Sequence, residues 1–174
     1  FALMHKEGYC TKVNIPEAEK WFFHAAKSGH TEAQKNLASI LLCKSDTKSH
    51  LEAIQWLIMA AEKDDKEALN KLGEIYAAGR IIGRDYPTAI CWLEKAGEYE
   101  PARINLGKVL LEAEMNEKNY KKAVEIFEEA EKSQDNSIRI DALYYMGQMH
   151  EMGKGYRINF QSAKRYYMEA AKAN

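Results

Sequence analysis

The side chains that most often carry chemistry are present but scattered. Five histidines, His5, His24, His30, His50 and His150, include no HExxH and no pair four apart on one helix, the spacing that a zinc site on a helix face requires. Cys10, Cys43 and Cys91 are an odd number with no CxxC pair, so neither a disulfide framework nor a structural zinc is expected. They read instead as reduced packing residues, since free cysteine behaves as a small hydrophobe. Cys91 falls in mid-helix before Trp92, a poor place for a nucleophile, and no GxSxG elbow occurs. Glu125, Glu128 and Glu129 interleave with Lys121, Lys122 and Lys132 at spacings that make solvated ion pairs along a helix, not a matched acid and base. The expectation is a chain with no catalytic group, no metal and no cofactor, and hence no enzyme.

Composition narrows the partners. Twenty-five basic and 26 acidic side chains give a net charge of -1 and are interspersed throughout, so no basic stripe for nucleic acid is evident. No apolar run, residues 38–43 with Ser39 inside it included, approaches the roughly 20 residues that span a bilayer, so direct membrane insertion is not expected. With 174 residues and 46% hydrophobic content the chain can bury a real core. No basic-then-apolar leader opens it at Phe1, which says little about compartment. Reduced cysteines fit the cytoplasm, and a bacterial secreted or envelope protein whose signal has been removed fits the same residues.

What must position these side chains is a repeat. Trp21, Trp56, Trp92, Ile126 and Tyr166 recur at intervals of 35, 36, 34 and 40 residues, a helical-hairpin period. Superposed, the segments 1–30, 31–65, 66–100, 101–135 and 136–174 share a register. The third reads Leu72-Gly73, Gly79, Asp85, Ala89, Trp92-Leu93 and Ala96-Gly97; the fifth reads Met146-Gly147, Gly153, Asn159, Ala163, Tyr166-Tyr167 and Ala170-Ala171. A four-residue surplus around 134–138 precedes the last unit, which predicts a shifted docking angle there.

Each recurring residue has a physical role. Asn14, Ser49, Asp85, Asn119 and Asn159 stand four before the small alanine of each second helix and are expected to cap it by accepting from its free N–H groups. Glu17 and Glu52 follow Asn14 and Ser49 at capping-box spacing. Gly8, Gly79 and Gly153 fall where the first helix must stop in a left-handed conformation, and Lys44 and Ala113 replace that glycine in the second and fourth units. Gly73, Gly107 and Gly147 mark close helix approach, and Trp21, Trp56 and Trp92 are expected to fill the space between hairpins.

These residues resemble the Sel-one-like repeat (SLR) family, a relative of the tetratricopeptide repeat, over essentially the whole chain. The resemblance rests above all on residues 72–97, residues 146–171 and the W-F-x-x-A-A-x-x-G-H run of residues 21–30. It implies an all-α, right-handed solenoid of about five antiparallel helix hairpins, used as a scaffold for protein complexes. In that register His5 and His150 take the place of the family's aromatic residue at the first-helix seam. Cysteine-rich members associated with β-lactam binding carry a cysteine pair in each repeat, and this chain has none. Residues 1–174 are expected to form one solenoid domain that is a piece of a longer protein, because neither end of the repeat carries a polar cap.

The remaining candidate site is the concave surface made by stacked first helices. By similarity to the tetratricopeptide arrangement, its lining would come from Glu32, Lys35, Ser39, Leu42; Asn70, Glu74, Ala77; Ile104, Lys108, Leu111; and Tyr144, Gln148, Glu151. Leu42, Asn70, Glu74, Lys108, Leu111, Tyr144 and Gln148 are the expected protein-binding residues, with the leucines and the tyrosine as apolar anchors. Glu32, Glu74 and Glu151 alternate with Lys35 and Lys108, which disfavours a clamp for a peptide's terminal carboxylate. The fall-back interface is the loop edge at 79–83 and 153–156. The partner is a protein, and exposed ends would also let copies of this chain associate end to end. A regulatory or targeting module serving an enzyme or effector domain outside the chain is the alternative function.

Overall fold

The computed structural model describes Leu3, Lys6, residues 14–113 and residues 116–173. Gly8, His5 and Cys10 lie outside the described residues. Nine α-helices run through the long segments: α1 (Ile15–Lys27), α2 (Thr31–Leu42), α3 (Thr47–Ala61), α4 (Lys66–Ala78), α5 (Tyr86–Lys95), α6 (Glu100–Glu112), α7 (Glu117–Ala130), α8 (Asn136–Met152) and α9 (Phe160–Ala173). No strand occurs among the described residues. Consecutive helices pack as hairpins α2–α3, α4–α5, α6–α7 and α8–α9, with α1 as the second helix of the first unit. First helices also touch their counterparts, α4 against α6 and α6 against α8, whereas no two second helices approach comparably among the described residues. The first helices therefore form the tighter, inner layer of the solenoid.

The caps explain where second helices start. Asn14, Asp85 and Asn159 accept from the backbone N–H three residues on, at 3.2, 3.0 and 3.0 Å, as their register predicts. The second and fourth units differ from expectation. Asp46 and Asn116, not Ser49 and Asn119, cap α3 and α7, each accepting at 2.8 Å from the residue expected to be the cap. Both helices thus begin almost a turn early, because a cap-type side chain is available there. Glu52 then has no capping box to close; its Oε1 accepts from the Trp56 indole N–H at 3.3 Å.

Helix ends follow the glycines. Gly79 and Gly153 end α4 and α8 at φ of 65° and 71°, the left-handed region that a side chain opposes. Where Lys44 and Ala113 stand instead, the chain leaves α2 and α6 without a left-handed residue: Cys43 stays right-handed and Ala113 is extended. The surplus before the last unit becomes helix, giving α8 17 residues against 13 in α4 and α6.

Packing corrects the tryptophan expectation. Trp56 is buried and Trp92 half-buried, but Trp21 is 44% exposed. The residue that closes each hairpin is the next one along: a Cβ at Gly73 would strike Leu93, one at Gly107 would lie 2.6 Å from the Phe127 ring, and one at Gly147 2.6 Å from Tyr167. A step of one residue turns the side chain by about 100°, from the hairpin's flank onto the facing helix. The packing role expected of the cysteines is not found for Cys43 and Cys91, which are exposed. His150 does occupy the aromatic seam, stacked on Tyr156 at 4.2 Å and Tyr166 at 5.5 Å, and burial holds its pKa below the ordinary histidine value.

Candidate concave binding surface

The inner layer carries a ladder of polar contacts that join one first helix to the next. Lys6 Nζ donates to Asn36 Oδ1 at 2.6 Å. Lys35 on α2 reaches Glu67 at 2.6 Å and Asp65 at 3.2 Å, at the start of α4. Asn105 on α6 donates to Asn70 Oδ1 at 2.9 Å and Glu74 Oε1 at 3.0 Å, both on α4. Lys108 on α6 pairs with Asp141 on α8 at 2.8 Å and lies over the Tyr145 ring at 5.3 Å. Partial burial pulls the Lys35 pKa down, but hydrogen bonds to Glu67, Glu32 and Asp65 outweigh it and hold the ammonium well above its ordinary value.

Several expected contact residues are thus engaged with one another. Asn70, Glu74 and Lys108 fasten successive repeats. Leu111 and Ile104 are corrections: at 6% and 2% exposure they belong to the core and offer no surface. α6 has α4 on one flank and α8 on the other, so side chains that face outward on an isolated helix are covered on both sides. The Leu111 carbonyl additionally accepts from Lys154 Nζ at 2.9 Å. Tyr144 is 45% exposed and bonded through its hydroxyl to Gln148 Nε2 at 3.0 Å, on the last hairpin.

Leu42, Glu74 and Lys108 do come together around two adjoining depressions at the C-terminal ends of the first helices. One, of about 480 Å³, is lined by Leu42, His50, Lys71, Glu74, Ile75, Ala78, Arg80 and Ile81. The other, of about 310 Å³, is lined by Glu74, Ala77, Ala78, Arg80, Arg84, Leu93, Asn105, Lys108, Val109 and Glu112. Glu74, Ala78 and Arg80 belong to both, so the two form one open groove across α2, α4 and α6. Arg80, Ile81 and Arg84 were missed among the helix positions because they sit in the loop after α4, although that loop edge was the sequence's fall-back interface.

Among the described residues no group of three or more His, Cys, Asp or Glu side chains could hold a metal ion, and no described helix is long and apolar enough to cross a membrane. What the groove offers is an apolar floor with charged rims.

Comparison with known proteins agrees with this architecture. The family model described as Sel1 repeat matches residues 2–30, 31–65, 66–98, 101–135 and 140–174. The chain is 25% identical over 172 residues to the Sel1-repeat-containing protein YjcO of Escherichia coli K12, covering 98% of this chain and 73% of that protein. It is 30% identical over 94 residues to the uncharacterized protein NMB1327 of Neisseria meningitidis, covering 54% of this chain and 19% of that one. Among solved structures it is similar to c5321, a protective antigen of uropathogenic E. coli with an SLR fold, at a TM-score of 0.80 and 26% identity, covering 98% of this chain and 36% of that one. A Sel1 repeat protein from Oxalobacter formigenes shares the fold at a TM-score of 0.79 and 23% identity, covering 99% of this chain and 71% of that one.

Proposed function

Since the chain belongs to the Sel1 repeat family, we propose that it is a non-catalytic scaffold that binds a partner protein in the groove across α2, α4 and α6. The observation that carries this reading is the continuity of the two depressions through Glu74, Ala78 and Arg80. Three successive first helices supply side chains to one surface, and the ladder beneath fixes their spacing before any partner arrives. A preformed surface loses little conformational entropy on association, which favours affinity. Leu42 and Ile81 give an apolar anchor site above the buried Ile75, and Arg80 on the rim orients the approach.

The groove departs from the contact set expected from register. Leu42, Glu74 and Lys108 remain as liners, Asn70 acts from beneath through Asn105, and Tyr144 with Gln148 lies on a separate surface. A second reading, a module that positions a partner for another domain of the same polypeptide, is supported by relatives in which the matched segment occupies 36% or 19% of the chain.

A photo-reactive residue tests the site. Placed at the exposed Ala78, it should yield a discrete protein adduct in native lysate that Leu42→Asp removes; placed at Lys132, exposed in the turn after α7 and away from the groove lining, it should not. Equal adducts at both positions, or an adduct at Lys132 alone, would contradict the reading.

A further inference from the structure

Charge pairing within the groove says what kind of partner it takes. Its lining carries four cations, Lys71, Arg80, Arg84 and Lys108, against two carboxylates, Glu74 and Glu112, although the whole chain has a net charge of -1. Lys71 and Glu74 neutralise each other at 2.8 Å, and Lys108 is held by Asp141 at 2.8 Å. Arg84 and Glu112 are linked through the Tyr86 hydroxyl, each at 3.3 Å, so this cation already has a polar partner and a carboxylate nearby. Arg80 is different: it makes no hydrogen bond or ion pair with any of the described residues, and it stands where the two depressions join. An unpaired guanidinium beside an apolar floor is a fork of donors that matches a carboxylate in two-point geometry.

We propose that the groove receives an acidic segment of a partner protein, with a carboxylate on Arg80 and an aliphatic side chain against Leu42 and Ile81. The proposal rests on the reading of the groove as the binding surface. The glutamates that argue against an anionic ligand in the bare sequence do not do so here, because Glu74 is already matched by Lys71. A nucleic acid fits worse, since a polyanion is held by a row of uncompensated cations and gains nothing from an aliphatic floor.

The test uses the full chain and three pools of short peptides built around a fixed leucine, flanked by Glu or Asp, by Gln, or by Lys, with binding read by fluorescence anisotropy. The acidic pool should bind about tenfold more tightly than the glutamine pool, with the lysine pool weakest, and its advantage should shrink as salt rises. Arg80→Gln should remove that advantage and Arg80→Lys should restore part of it; the side chain is exposed, and circular dichroism checks that helicity is kept. Equal affinity for the pools, an acidic preference that survives Arg80→Gln, no binding by any pool, or displacement by a single-stranded oligonucleotide at lower concentration than by acidic peptide would each overturn the proposal. Charge-blind binding that Leu42→Asp abolishes would discard the acidic segment while keeping the groove, whereas cross-linking at Lys132 alone discards both.

Discussion

Two surfaces of this solenoid lie open, and they are open for different reasons. The outward face of the last hairpin exposes Tyr144 at 45%, Phe160 at 69% and Met168 at 49%. In the fourth unit the position of Tyr144 is Ile104, which is 2% exposed. In the third and fourth units the position of Phe160 is Tyr86 or Tyr120, and both meet the unit that follows: Tyr86 bonds Glu112, and Tyr120 lies under Lys154. Exposure at the end face is therefore what repeat register gives wherever no following unit covers it. The groove has no such explanation, because all three units that build it have neighbours. That difference supports the groove as the proposed surface for recognition.

If burial by a following unit is what separates interior from end, substitutions at equivalent positions should differ. The largest effect is expected at Phe127, which is fully buried against Gly107 and stacks on Tyr145 at 5.3 Å. Phe127→Ala should cost about 3–5 kcal/mol in chemical denaturation, and Tyr167→Ala, its counterpart in the last hairpin, clearly less. Equal losses would erase the distinction. Gly107→Ala comes next, at about 1–3 kcal/mol from overpacking against a ring that has nowhere to move. Gly147→Ala should cost less, because the half-exposed Tyr167 ring can turn toward solvent.

Smaller effects test the caps. Asn116→Ala should cost about 1 kcal/mol, the usual loss of an N-cap, read by thermal unfolding; no loss there would return the cap to Asn119. Asp85 gives a pH signature. Its carboxylate accepts from the Thr88 hydroxyl at 2.7 Å and backbone N–H at 3.0 Å, which hold its pKa below the ordinary aspartate value. A lowered folded-state pKa means that the contribution is fully present above the unfolded value of about 3.9 and is lost as pH falls through the folded one. Melting temperature should therefore fall less steeply with acid in Asp85→Asn, which keeps the cap without the charge. Parallel acid profiles would assign the shift no role in stability.

The architecture was legible because helix period, capping side chains and turn glycines are local signals that agree with one another. The errors occur where two local signals compete or where a neighbour decides. Asp46 and Ser49, like Asn116 and Asn119, are cap-type residues three apart, and sequence alone does not choose which begins the helix. Trp21 and Phe22 are adjacent aromatics, and only the facing helix determines which is buried. Leu42, Glu74 and Lys108 share a stripe on the first helices and line the proposed groove. Leu111 lies on the same stripe and was misread, since its cover comes from how α6 packs between α4 and α8. Arg80 and Arg84 sit in a loop with no period to read, and the matching of Lys71 with Glu74 that leaves Arg80 alone is a fact of three dimensions.

The groove and the end face can be told apart in a single measurement. Hydrogen–deuterium exchange of the full chain, alone and saturated with the partner captured through Ala78, should slow at the C-terminal turn of α4 and the 79–85 loop while residues 160–173 exchange unchanged. Protection confined to α9, with none at 79–85, would contradict the account.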